Sequence, residues 1–203
     1  TRRSSDLLEN DPKINKLKQK LNEILPNSKG EKVIIFSEYR DTVEYLYKNL
    51  VEKFRVLAVS NDVSKSLYNE ILANFDASID KTKQKDDYDI LIVTDKFSEG
   101  YNLNRAAHIV NFDIPWNPVR VIQRVGRINR IGQFVFSQLY IYNFFPTLIG
   151  ESETNIRQIA ENKMFMIHKC LGEDSKIFSP DEEPTPSQLD RKSTRLNSSH
   201  RIR

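Results

Sequence analysis

Short apolar runs alternating with segments of helical spacing leave this chain few folds to adopt. "VIIF" (33–36) and "ILIV" (90–93) are apolar throughout, and "RVLAVS" (55–60) and "AHIVNFD" (107–113) nearly so. Such runs are too short for helices and lack the polar alternation of a half-exposed strand, so they predict strands covered on both faces. Between them lie amphipathic helices. "DPKINKLKQKLNEIL" sets Ile14, Leu17, Leu21, Ile24 and Leu25 on one stripe, with Asp11 as N-cap and Pro12 at the first helical position. "DTVEYLYKNLVEKF" does the same with Val43, Leu46, Leu50 and Val51, and "SKSLYNEILANF" with Leu67, Ile71, Leu72 and Phe75. "NPVRVIQRVGR" predicts a helix capped by Asn117, "SQLYIYNFF" a further strand, and "ETNIRQIAENKMFMIHKCL" a long helix. "DASIDKTKQKDDYD" reads as a charged surface loop. Strand and helix alternating in this way define an α/β fold, an open and mostly parallel sheet with helices on both faces.

Ligands of such sheets bind beyond the carboxyl ends of the strands. The polar signatures fall there: "SEYR" after the first strand, "TDKFSEGYN" after the third and "IPWNP" after the fourth. The segment "VIQRVGRINRIGQ" adds Arg124, Arg127 and Arg130 at intervals of three, with no acidic residue among them. That spacing alone admits a solvated face, a structural ion-pair network, a nucleic-acid backbone contact or a nucleotide phosphate contact. A net charge of only +3 means that any nucleic-acid binding must come from a local patch.

Four segments in order, from residue 32 to 133, carry a family resemblance. "KVIIFSEYRDT" resembles motif IV of the superfamily 2 helicases, "VTDKFSEGYNL" motif V, "NFDIPWNP" the extension that follows it, and "QRVGRINRIGQ" motif VI. The chain is thereby identified as similar to the second, C-terminal RecA-like domain of a helicase or translocase, within the bacterial Swi/Snf-like branch. "LYIYNFFP" and the C-terminal helix further resemble helicases that carry a phospholipase-D-like nuclease domain.

The resemblance implies a motor lobe that acts on ATP, with Mg2+, held mainly by an N-terminal RecA-like domain. No G-x-x-x-x-G-K-[ST] phosphate loop occurs in the sequence, so this lobe alone is expected to be inactive. Arg127 and Arg130 take the place of the family's arginine fingers, catalytic groups that reach a γ-phosphate across a cleft. Gly100, Asn102, Gln123 and Arg124 fall at positions close to the nucleotide, the last two supporting the hydrogen-bond network of motif VI. Gly126 is expected to let the segment pack closely on the sheet, and Glu99 to hold the loop or the arginines. Ser37, Tyr39, Arg40, Thr94 and Trp116 take nucleic-acid positions, the implied partner being double-stranded DNA. Lys96, Phe97 and Ser98 depart from the small residues of many relatives. Ser37 read alone serves equally as a cap for the following helix, Thr94 with Asp95 as a turn after a strand, and Trp116 as a packing residue.

Other features carry less. "DEEP" (181–184) looks like a magnesium-binding acidic box but follows no apolar strand, and reads as a solvated linker. His108 and His168 have no partners at metal spacing and read as packing residues; no metal site is expected within this chain. Cys170, the single cysteine, excludes an internal disulfide and suits a reducing, cytoplasmic setting. No apolar run approaches the roughly 18 residues of a membrane span. The expected organisation is a leading helix region (1–30), the RecA-like domain (31–150), a helical extension (151–178) and a linker with a basic tail (179–203). The tail resembles linker-derived sequence, the alternative being a disordered native tail, and is placed outside the fold. Two further function classes remain: a binding module with a degenerate motor fold, against which the intact arginines speak, and a Rossmann dehydrogenase, which lacks its glycine fingerprint.

Overall fold

The computed structural model describes residues 11–26, 30–60, 63–95, 100–115, 117, 119–129 and 135–144, together with the backbone of 197–202. Strands β1 (Lys32–Ser37), β2 (Val56–Val59), β3 (Ile90–Thr94), β4 (Ala106–Asn111), β5 (Leu139–Asn143) and β6 (Asn197–Ile202) form one sheet in the order β2-β3-β1-β4-β5-β6. The first five run parallel, and β6 pairs antiparallel with β5. Helices α1 (Pro12–Ile24), α2 (Arg40–Leu50), α3 (Lys65–Phe75) and α4 (Val119–Ile128) connect or cover them.

The pleat sorts the strand residues between two cores. Ile34, Phe36, Leu91, Val93, Ile109 and Ile141 meet Ile71 and Phe75 of α3 and Val121, Val125 and Ile128 of α4. Val33, Ile35, Ile90, Ile92 and Val110 meet Leu17 and Leu21 of α1 and Val43, Leu46 and Leu50 of α2. Every residue of β1, β3 and β4 is buried, which is why these runs read as unbroken apolar sequence. The chain leaves β1 toward one side of the sheet and β4 toward the other, so a crevice is defined at their carboxyl ends.

Local chemistry sets the element ends. Asp11 Oδ1 accepts from the Lys13 N–H at 2.8 Å with Pro12 at N1, as the sequence predicts, and Ser64 Oγ caps α3 through the Leu67 N–H at 3.2 Å. Val51, assigned to the buried stripe of α2, is 40% exposed, because the helix stops at Leu50 and Val51 is its C-cap. The charged loop after α3 holds one 3-10 turn, Lys81–Lys83, and Asn104 Oδ1 fixes its start through the Ala77 N–H at 2.8 Å. Residues 197–202, placed outside the fold on composition, form the sixth strand instead. A sheet edge offers unpaired backbone groups that need no apolar side chains to recruit a strand. The helix expected over 153–171, with His168 and Cys170, and the linker containing "DEEP" lie outside the described residues.

His108 is a packing residue, as expected, but a titratable one. It is buried in β4 beside Tyr140 and Tyr142 of β5, its ring stacked at 4.9 and 6.0 Å from theirs, with Nε2 2.9 Å from Glu31 Oε2 and Lys20 nearby. Burial pushes its pKa below the ordinary value, outweighing the Glu31 carboxylate, which raises it. The unfolded chain takes up a proton near pH 6.5 while the native imidazole waits for lower pH. Below about 6.5 the unfolded state therefore binds more protons, and stability falls as pH is lowered. Thermal melts between pH 7.5 and 5.5 are expected to show this loss, and His108→Gln to reduce its slope.

Candidate functional site

The carboxyl edge of the sheet is organised around one arginine. Arg124 projects from the inner face of α4, beside Val121, Val125 and Ile128, and is only 1% exposed. Its Nε and Nη2 donate to Asp95 Oδ1 and Oδ2 at 2.5 and 2.7 Å, a two-pronged pair with the residue that follows β3. Nη1 donates to Asn111 Oδ1 at 2.8 Å and to the Asp113 carbonyl at 3.2 Å. The guanidinium lies 5.1 Å from the ring centre of Phe36 in β1. Asn111 Nδ2 passes the chain on to Asn143 Oδ1 at 2.7 Å, at the end of β5. One side chain thus ties together the ends of β3 and β4 and, through Asn111, β5.

Two of the expected site residues lie inside this polar network. Arg124, expected near the nucleotide as a support of the hydrogen-bond network of motif VI, has every nitrogen engaged by the protein in such a network. Ser37, assigned to nucleic acid, is fully buried and donates to Asp113 Oδ2 at 2.5 Å while its Oγ accepts from the Tyr39 N–H at 3.2 Å. The Asp113 carboxylate is held on its other oxygen by Lys13 Nζ at 3.1 Å. Ser37 thus links the end of β1 to the residues that follow β4.

Arg127 differs from Arg124. Three residues advance a helix by about 4.5 Å and about −60°, enough to carry its side chain from the interior to a half-buried position. Among the described residues no carboxylate pairs with it, and its backbone carbonyl accepts from the Leu103 N–H at 3.0 Å. That bond brings the 100–103 segment against the last turn of α4. Gly100 there has φ +93°, a conformation that favours glycine. Asn102 is buried, its Nδ2 donating to Asp76 Oδ1 at 2.9 Å beyond the end of α3. Gln123 and Gly126 are exposed on the outer face of α4. Among the described residues close packing does not explain Gly126: apart from its chain neighbours and its own helix backbone, no atom lies within 4 Å of where its Cβ would stand. Arg130, Trp116 and Glu99, with Lys96, Phe97 and Ser98, lie outside the described residues.

Thr94 ends β3 beside Ser37 in the register, 4% exposed, and its Oγ1 has no hydrogen-bond partner among the described residues. A buried hydroxyl without a partner costs free energy, about 1–3 kcal/mol in comparable cases. Tyr39 is 62% exposed and Arg40 starts α2 beside it. On the same rim Arg120 Nη1 donates to Glu38 Oε1 at 3.0 Å, and burial pushes the Glu38 carboxyl above its usual range against the pull of Arg120 and Arg124. Sequence reasoning missed Asn111, Asp113 and the pairing partner of Arg124. The polar ends of otherwise apolar strands, "VN" in β4 and "YN" in β5, were the available signal. No group of three or more metal-binding side chains occurs among the described residues. Asp95 and Asp113 are already committed to Arg124, Lys13 and Ser37, so these carboxylates do not form a donor set for magnesium. No helix among the described residues is long and apolar enough to cross a membrane.

Residues 13–132 match the family model described as "Helicase conserved C-terminal domain", and the chain belongs to that family. It is a RecA-like helicase C-terminal lobe, similar in sequence to ATP-dependent helicases and to Swi/Snf-like proteins. It is 30% identical, over 82% of its length, to the "Uncharacterized ATP-dependent helicase YqhH" of Bacillus subtilis, and covers 30% of that protein. To the "RNA polymerase-associated protein RapA" of Serratia proteamaculans it is 31% identical over 69% of its length, covering 14% of that chain. Among solved structures it resembles the C-terminal part of the Fun30 ATPase domain, with a TM-score of 0.59 and 27% identity over 75% of this chain and 46% of that one. The chain therefore spans less than a third of the length of these two curated relatives.

Proposed function

We propose that this lobe forms one wall of an ATP site shared with a second RecA-like lobe, and couples hydrolysis there to movement along duplex DNA. The observation that carries the reading is Arg127: half-buried at the end of α4 and, among the described residues, without a carboxylate to neutralise it. As ATP is cleaved, charge spreads over the γ-phosphate oxygens and the leaving oxygen, and a fixed guanidinium stabilises it through paired hydrogen bonds. Arg130 is assigned the same role from its place in the motif. Arg124, in ion pair with Asp95, holds α4 in register with the strand ends so that Arg127 arrives in one orientation. The other lobe would supply the phosphate loop and any magnesium ligands. Closing the two lobes would assemble the site, and reopening after hydrolysis would shift the grip on the strand.

On the nucleic-acid side, Thr94 Oγ1 has no partner among the described residues, and a backbone phosphate could accept its hydrogen bond. Tyr39 and Arg40 offer an exposed ring and a cation next to it, and Trp116 is assigned there from the motif. Such contacts are blind to base sequence and weaken with salt. ATP turnover by the complete protein is expected to rise with duplex DNA. Thr94→Val should raise the DNA concentration for half-stimulation several-fold while leaving the melting temperature unchanged or higher. Turnover indifferent to duplex DNA but stimulated by RNA would move the reading to an RNA track, and turnover indifferent to both would contradict it.

A further inference from the structure

Among the described residues nothing about the position of Gly126 in its helix calls for glycine. It lies inside α4, followed by Arg127 and Ile128, so it is not the residue that ends the helix. Its backbone is not in the left-handed region; Gly30 and Gly100 are the glycines that are, among the described residues. It is exposed, and apart from its two chain neighbours and the backbone of its own helix no described atom stands within 4 Å of the position a Cβ would take. Glycine inside a helix is less stable than alanine, because it loses more backbone freedom on folding. The fold thus carries a destabilising residue at an open surface position next to its one half-buried arginine of that helix without a described carboxylate partner.

We infer that Gly126 provides clearance: it is a positioning residue that lets the triphosphate end of a nucleotide, carried by the opposing lobe, come close enough to the α4 backbone for Arg127 to engage it. Charge complementarity with Arg127 selects a polyanion as the occupant. This inference rests on the proposed nucleotide site and adds a requirement to it, that the approaching surface reach α4 itself and not only the tip of the arginine. A methyl group at 126 would hold that surface away, and displacements of about 1 Å at a reacting centre can cost about a hundredfold in rate.

The test is Gly126→Ala beside Arg127→Ala in the complete protein, with thermal melting, kcat and KM for ATP measured on both. The inference expects Gly126→Ala to melt at the same temperature or about 2 °C higher, as a better helix former at an exposed site should, while kcat falls about ten- to a hundredfold and KM changes less. A residue needed only for folding would lower the melting temperature instead, and that outcome overturns the inference. If Gly126→Ala melts higher and turns over ATP normally while Arg127→Ala does not, the clearance role is overturned and the nucleotide site stands. Normal turnover in both variants overturns both.

Discussion

Replacing Arg127 with alanine in the complete protein is expected to lower ATP turnover by about 10³-fold or more, the scale on which arginine fingers act. The melting temperature should barely move. Both halves follow from the environment of the side chain. It makes no ion pair with any described residue, so its removal leaves no described carboxylate stranded, and a half-buried position can be truncated without opening a core cavity. Turnover depends on it only if its charge is used in the transition state, so kcat should fall while ATP affinity stays within a few-fold. Arg127→Lys should recover little, because an ammonium keeps the charge but not the planar fork that meets two phosphate oxygens.

Arg124→Ala is expected to do the reverse, damaging the fold first. Truncation removes the two-pronged partner of the Asp95 carboxylate, leaving Arg120 at 3.8 Å, and removes the Nη1 donor from the buried Asn111 amide oxygen. Breaking a buried pair from one side costs about 3–5 kcal/mol, a large share of the roughly 5–15 kcal/mol that holds a domain folded. In a chain of this size that is a fall of about 6–20 °C in melting temperature. Lysine should not rescue it, since one ammonium cannot span both Asp95 oxygens and Asn111. The double variant Arg124→Met with Asp95→Asn should regain most of the loss, because no charge is then left buried alone. Urea titrations of the single and double variants measure this directly. Two arginines three residues apart are thereby separated: one supports the lobe, the other is available to a ligand.

The family resemblance implied that separation, but the residue spacing alone did not give it. Spacing places Arg124 and Arg127 on neighbouring faces of one helix but does not say which face meets the sheet. The acid that claims Arg124 lies 29 residues earlier, at a strand end brought alongside only by folding. Ser37 illustrates the same limit. Its position after an apolar strand was readable, but the Asp113 that covers it arrives from another strand through long-range topology. Gly126 misled for a different reason, since motif glycines often mark close packing and here no described residue packs on the position. What was legible came from local rules. Apolar runs gave the strands, helical spacing gave Ile14, Leu17 and Leu21 as a buried stripe, and Asp11 with Pro12 marked a helix start that the structure reproduces. Lys32 passed unnoticed because a buried lysine inside a strand has no pattern; Asp86 and the Tyr88 carbonyl, both distant in sequence, hold its ammonium at 2.9 and 2.5 Å.

The most direct test of the central claim compares how the wild-type complete protein and its Arg127→Ala variant bind ADP alone and ADP with aluminium fluoride, which mimics the phosphoryl group in flight. A group used only in the transition state should matter only to the mimic. The account predicts ADP affinity within about twofold of wild type and a loss of about a hundredfold or more for the fluoride complex. Equal affinity of both proteins for the fluoride complex, or an equal loss for the two ligands, would contradict it.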